Sequence, residues 1–314
     1  MTPDETHQGK PPIYPGLRLG YACVNHALGE AGRSDRTCRL ANATPERLEE
    51  LSRANLDGLR RILAWNAQHD VRVFRMSSDL IPLASHPEAQ WGWRETLEAE
   101  LRQVGRDAHD HGLRLSMHPG QYTVLNSPKP KVVASAIAEL GYHADLMELM
   151  GLPPSGKIVL HVGGVYGDKA RAKRQLRDAF ADLPENVQAR LVLENDERGY
   201  GAEDVVELCE ALGIPMIFDD LHHRAYAGEP PSPALLVDVL ATWDDQKDGR
   251  PKLHFSSQRP EARAGAHADG VDVEEFRRFM ATLPTTGVDI MLEAKAKERA
   301  LFDLAADLAS VSSS

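Results

Sequence analysis

Seven residues of ligating type stand at or just beyond the ends of short apolar runs: His118, His161, Glu194, Asp219, His222, His254 and Glu293. Imidazole nitrogens and carboxylate oxygens without thiolate are the donor set of Zn²⁺, Mn²⁺ or Fe²⁺, and not that of a cysteine-rich structural zinc site. Glu194 closes the run Leu191-Val192-Leu193, and an acid at the end of a buried strand has to be paired or to bind a cation. So many donors exceed what one ion takes, so two or three ions are expected, with a carboxylate such as Glu194 bridging two of them. Clustered divalent ions are the usual device for in-line displacement at a phosphate, one ion activating water and another stabilising the leaving oxygen. The reaction class inferred from the donors is phosphodiester hydrolysis.

Eight apolar runs must bring these residues together: Leu17 to Cys23, Val71 to Ser77, Leu113 to Pro119, Lys157 to Gly164, Arg190 to Asp196, Pro215 to His223, Lys252 to Ser257 and Val288 to Lys295. Each is followed by a helical pattern: Pro45 to Gln68, Trp91 to Asp110, Lys131 to Leu149, Lys169 to Ala181, Ala202 to Leu212, Pro233 to Thr242, Val273 to Leu283 and Lys297 to Ala309. Thr44-Pro45 reads as an N-cap followed by Pro at the first helical position. Eight strand-helix alternations imply a parallel sheet and are the number that closes it, which predicts an α/β fold of the (β/α)8 TIM-barrel type. All strand C-termini then open on one face, where distant residues converge. An open doubly wound sheet is disfavoured, because no GxGxxG follows the first run. Residues 1–16 read as a flexible arm, 17–309 as one barrel domain and 310–314 as a frayed tail.

At 314 residues and 42% hydrophobic content the chain suits one large enzyme domain, and it contains no 18-residue uncharged apolar stretch. A soluble protein without membrane contact is expected. The polar, proline-rich start is unlike a secretory signal, and Cys23, Cys38 and Cys209 form no CxxC pair, so a cytoplasmic location is expected. The formal charge of −11 argues mildly against a polyanionic partner. Cations bound among the acids would offset part of it, and Arg33, Arg36, Arg39, Lys129, Lys131, Lys169, Arg259, Arg263, Lys295 and Lys297 fall in loops or helix starts that could meet phosphates.

The runs LGYACVN, RMSSDLIPLASH, SMHPGQYTVLNSP, VLHVGGVYGDK, LENDER, DDLHH, KLHFSSQ, GAHADGV and LEAKAKE resemble, in order and spacing, the UV damage endonuclease family, related to the endonuclease IV type of abasic-site nuclease. The resemblance covers Leu17 to Leu301. It implies a TIM barrel with a trinuclear, often manganese-dependent site, with Zn²⁺, Co²⁺ or Mg²⁺ as alternatives. The implied activity is DNA repair: nicking double-stranded DNA immediately 5′ to a cyclobutane dimer, a 6-4 photoproduct or an abasic site, leaving a 3′-hydroxyl and a 5′-phosphate. No obligate protein partner is implied, and the substrate places the enzyme on the nucleoid.

Carried over by position, the resemblance adds His267 to the ligand set. It suggests His118, His161 and Glu194 on one ion, Glu194, Asp219, His254 and Glu293 on a second, and His222 with His267 on a third. The endonuclease IV pattern has an Asp two residues before the last His, where this chain has Gly265. The resemblance also makes Gln121 and Tyr122 lesion probes and sets Tyr21, Asn25 and His86 near the lesion or scissile phosphate, and the loop position of Lys295 suits it to a DNA contact. Strand periodicity puts Lys252 on the inward face with His254, where it would be deprotonated, paired with an acid, or converted by carbon dioxide to a carbamate that supports the site. Two other readings remain. A sugar isomerase on the same barrel would act on ketoses and ignore irradiated DNA; a non-catalytic DNA-binding module would bind DNA without nicking it.

Overall fold

The computed structural model describes residues 14–311, so most of the expected arm and the last residues of the expected tail lie outside them. The strands are β1 (Arg18–Ala22), β2 (Val73–Arg75), β3 (Arg114–Ser116), β4 (Ile158–His161), β5 (Leu191–Glu194), β6 (Met216–Asp219), β7 (Lys252–Phe255) and β8 (Asp289–Leu292). All pairings are parallel, in the order β3-β2-β1-β8-β7-β6-β5-β4. The circle closes through a parallel bridge between Met117 and Ile158, with Met117 N donating to Lys157 O at 3.0 Å and Val159 N to Met117 O at 2.9 Å. The fold is the TIM barrel expected from the alternation.

Period-two alternation divides each strand between two cores. Outward side chains, among them Tyr21, Phe74, Leu115, Leu160, Leu193, Phe218, Phe255 and Leu292, join the main core under the helices. Inward side chains form two small plugs, Val159, Val192 and Ile217 with Trp243, and Ala22 with Val73 and Met291. Two residues beyond each inward apolar position the same face carries Arg75, His161, Glu194, Asp219 and Glu293 at the C-terminal mouth. Two residues before, it carries Lys157, Arg190 and Asp289, all buried at the floor.

Helices begin where capping chemistry permits. The Thr44 side chain accepts from Arg47 N ahead of Pro45–Gln68, Asp168 caps Lys169–Ala181, and Ser232 caps Pro233–Ala241, with Pro at the start of the first and last. The single helix expected over Trp91 to Asp110 divides into Trp93–Thr96 and Glu98–Asp110, because Leu97 leaves helical geometry at φ −110°, ψ 7°. A further helix, Asp220–Ala227, follows β6 directly where only a turn was expected. The last helix, Glu298–Val311, runs past residue 309 into the span read as tail. Among the described residues no helix is long and apolar enough to cross a membrane.

Candidate metal centre

Glu194, fully buried at the end of β5, is the hub of the barrel mouth. His118 Nε2 lies 3.0 Å from its Oε2 and His161 Nε2 3.4 Å from the same oxygen, while His254 Nδ1 lies 2.5 Å from Oε1. Two donor groups therefore share one carboxylate: His118, His161 and Glu194, and Glu194, Asp219 and His254, each with ligand atoms within 4.8 Å of one another. Glu293 continues the second group, its Oε1 3.3 Å from His254 Nδ1. His267 Nδ1 is 3.6 Å from Glu293 Oε2, and the His222 ring centroid is 5.9 Å from that of His267 and 5.6 Å from that of His161. All eight expected ligand positions thus form one connected cluster. Expected separately, Lys252 is buried beneath them and its Nζ donates to Ser116 Oγ.

Local backbone chemistry aims these side chains. Asp219 Oδ1 caps the helix after β6 by accepting from His222 N at 2.7 Å, so the ligand pair Asp219 and His222 is set by one capped turn. Asn195, also buried, clasps the backbone of the last residue of β6 on both sides: Asp219 N donates to its Oδ1 at 2.9 Å, and its Nδ2 donates to Asp219 O at 3.0 Å. The Asn195 carbonyl lies 3.2 Å from His222 Nδ1, which orients the ring as outer partners of ligating histidines do.

The residues fit a cation. His161 Nδ1, Asp219 Oδ2 and His254 Nε2 are buried without a hydrogen-bond partner, and unpaired polar atoms of this kind demand an explanation. Burial opposes ionisation of Glu194, yet His254 and His161 beside it, with hydrogen bonds from His118 and His254, hold its carboxyl well below the usual carboxylate range. Burial likewise opposes ionisation of Glu293, and Arg75 with His254 outweighs it. Burial disfavours the charged form of His222, but Asp219, Glu194 and Glu293 draw it up to about 9. His118 goes the other way: burial lowers it to about 4, leaving a neutral ring with a lone pair to give. Ionised carboxylates, a neutral imidazole and unpaired polar atoms in one cluster are the conditions under which divalent cations bind, with His222 giving up its proton to do so.

Other expected site residues are placed differently. Tyr21 faces outward from β1: it packs edge-on against Phe74 at 5.1 Å, donates to Asn66 Oδ1 at 2.6 Å and accepts from Asn25 Nδ2 at 2.8 Å. Since Ala22 is the inward residue of that strand end, the Tyr21 hydroxyl lies in the wall between strand and helix, bonded to Asn66 and Asn25. Asn25 is buried too, and its Oδ1 accepts from Leu28 N at 3.0 Å to shape the following loop. The His86 ring accepts from Glu88 N in the loop after β2. Gln121 and Tyr122 are exposed in the loop after β3, Tyr122 at 71%. Lys295 and Lys297 line a cavity of about 420 Å³ at the mouth together with Arg75, Arg263, His267 and Glu293. Lys169, in contrast, is occupied by Asp204 at 2.7 Å, and Arg33 by Asp35 at 3.0 Å.

Two residues escaped the sequence reading. Arg75 ends β2 on the inward face and pairs with Glu293. Burial, with Arg114 and Arg75 nearby, lowers Lys252 to about 7. The signal for Arg75 was the one used for Glu194, a charged residue closing an apolar run, but a search for ligands passes over a cation. Asn195 could have been found only from its contacts. Gly265, at φ 77°, has the Glu197 side chain close to where a Cβ would stand, its Cγ 3.0 Å away, so an Asp at that position would be crowded and would need Glu197 to shift.

Comparison with known proteins follows the same lines. Residues 17–313 match the family described as UV-endonuclease UvdE. The UV DNA damage endonuclease of Clostridium perfringens (strain 13 / Type A) is 35% identical over 283 residues, covering 90% of this chain and 68% of that protein. The crystal structure of SacUVDE superposes with a TM-score of 0.87 at 39% identity, over 94% of this chain and 99% of that one. Endonuclease IV from Thermus thermophilus shares the fold, with a TM-score of 0.56 at 15% identity over 93% and 99% of the two chains.

Proposed function

The chain belongs to the UV-endonuclease UvdE family, and from that premise we propose that it hydrolyses, with divalent metal ions, the phosphodiester immediately 5′ to a UV photoproduct in double-stranded DNA. The products are a 3′-hydroxyl and a 5′-phosphate, and the setting is excision repair in the cytoplasm. The observation that carries the reading is the buried Glu194 carboxylate shared by His118, His161 and His254, with unpaired donor atoms on His161, Asp219 and His254 around it. The test is nicking of irradiated against unirradiated supercoiled plasmid, with EDTA and then Mn²⁺ added back. Nicking confined to irradiated plasmid and restored by metal supports it; equal nicking of both, or activity untouched by EDTA, sinks it. The likeness to sugar-metabolising barrels such as a putative xylose isomerase from Rhodospirillum rubrum ATCC 11170, at 16% identity, is one of fold alone.

His118, His161 and Glu194 would hold one ion, Glu194, Asp219, His254 and Glu293 a second, and His222 with His267 a third. Bound divalent ions would neutralise charge on the phosphate and make water acidic enough to attack at neutral pH. Around them the protein's own groups orient: Asn195 fixes Asp219 and His222, Arg75 fixes Glu293, and Lys295 and Lys297 draw the DNA backbone into the mouth cavity. His118→Ala and His254→Ala are each expected to lower the bound-metal count by about one ion per protein in elemental analysis, since each donor serves one ion. An unchanged count would make these histidines purely structural.

Lys252 is proposed to carry a carbamate: its neutral amine adds to carbon dioxide and releases a proton, giving an anion between Arg75 and Arg114 in place of a third cation. A carbamate resonance under ¹³C-bicarbonate that vanishes in Lys252→Ala is expected, and its absence from the parent removes the idea. Gln121 and Tyr122 are proposed to probe the lesion. The double alanine variant should lose about tenfold in preference for damaged over intact duplex while keeping its metals, the size of one lost base stack. Full preference in that variant would move the probe elsewhere.

A further inference from the structure

The loop after β4 repeats the design of the loop after β3. Gly120-Gln121-Tyr122 follows His118, and Gly164-Val165-Tyr166 follows His161. In both, the ring lies on the glycine two residues before it: a Cβ at Gly120 would fall 2.4 Å from Tyr122 Cε1, and one at Gly164 2.7 Å from Tyr166 Cζ. Tyr166 reaches this pose at φ 49°, a region that bulky residues seldom occupy, and it remains 52% exposed. Among the described residues its hydroxyl has no hydrogen-bond partner. Tyr226, also exposed, is by contrast held by Lys169 Nζ at 3.2 Å. The two loops are tied together: Asn126 Nδ2, from the first, donates to Gly164 O at 2.8 Å, and Tyr200 supports the same carbonyl at 3.1 Å. At their bases the His118 and His161 rings are 5.1 Å apart, so both tyrosines stand in loops that leave the same part of the mouth.

We propose that Tyr166 is a second stacking platform, a binding site for a nucleobase left without its neighbour at the lesion; this rests on the functional reading above. A photoproduct joins two adjacent bases and spoils the stacking of both, and one ring can cover one base. Tyr122 alone leaves a second base face open. A strained backbone that holds an unbonded aromatic ring flat on a glycine at the mouth of a nucleic-acid site supplies that second face. The ligand class is any unstacked base, since a ring face accepts all of them.

The test uses the metal-loaded full chain with a duplex carrying one cyclobutane dimer, a non-hydrolysable methylphosphonate at the phosphodiester 5′ to it, and 2-aminopurine placed either beside the dimer or opposite it. Binding is read by anisotropy and stacking by 2-aminopurine emission. Tyr166→Ala is expected to weaken binding of the damaged duplex about tenfold, leave the intact duplex within about twofold, and alter emission from one of the two positions. Tyr166→Phe should match the parent. Gly164→Ala, which keeps the ring but removes its bed, should fall between them. Unchanged affinity and emission in Tyr166→Ala, beside a parent that prefers damaged DNA, overturns the platform and leaves the functional reading standing. Equal weakening on intact duplex overturns it too, since the residue would then be a general backbone contact. A parent without preference for damage overturns both.

Discussion

Glu194→Gln is expected to lower nicking of irradiated DNA by about 10³-fold or more, because metal ions supply several kcal/mol of transition-state stabilisation and each 1.36 kcal/mol is tenfold. Glu194 faces three histidines through its two oxygens and belongs to both donor groups. A carboxylate offers an anionic oxygen to each group; the amide offers one neutral oxygen to one of them and an NH₂ to the other. The substitution keeps size and shape, so the change acts on charge and not on packing. Single-turnover nicking, circular dichroism and metal analysis on the same preparation check the prediction. A folded variant with fewer ions and almost no cleavage is the expected outcome. Turnover comparable to the parent would remove the shared-carboxylate centre from the reaction.

How far the site was legible depends on where each residue sits relative to strand periodicity. Glu194, Asp219, His161 and Glu293 close apolar runs at positions in phase with Val192, Ile217, Val159 and Met291, so one rule found the strands and the residues they aim. Tyr21, taken from the family resemblance and not from this rule, is out of phase with Ala22, and a side chain one residue out of phase faces the helices. His267 lies outside any strand, in an irregular stretch bridged to Gln258, and only its family resemblance pointed to it. The helix Asp220–Ala227 was invisible because Asp219 serves at once as strand end, helix cap and candidate ligand, and a short capped turn carries too little periodicity to register. Charge pairing was beyond reach altogether: Lys169 and Lys295 look alike in sequence, yet one is held by Asp204 and the other lines the mouth.

The opposite end of the same strands carries the second large effect. Asp289→Ala is expected to destabilise the protein by about 3–5 kcal/mol, the range for removing one partner of a buried ion pair. Asp289 opens β8 on the inward face, in phase with Met291, and is fully buried. Arg18 grips it with Nε at 2.6 Å and Nη2 at 2.7 Å, Arg114 Nη1 lies 2.8 Å away, and Arg250 Nε 3.6 Å. One carboxylate thus binds β1, β3 and the approach to β7 at the barrel floor. Without it three guanidiniums, which already line a cavity of about 310 Å³ at the floor, would face one another with no carboxylate between them. Arg18 and Arg250 are partly exposed and can turn to water; Arg114 cannot, because its remaining donors are spent on the carbonyls of Ser155, Arg250 and Asp248. At about 2–4 °C per kcal/mol for a chain of this class, Tm should fall by about 6–20 °C. The metal count should not change, since the floor shares strands with the mouth but no ligand. An unshifted Tm would mean that the floor charges are solvated and contribute little. A large shift with intact metal binding would show that alternating positions on the same strands hold the barrel closed at one end and gather the donors at the other.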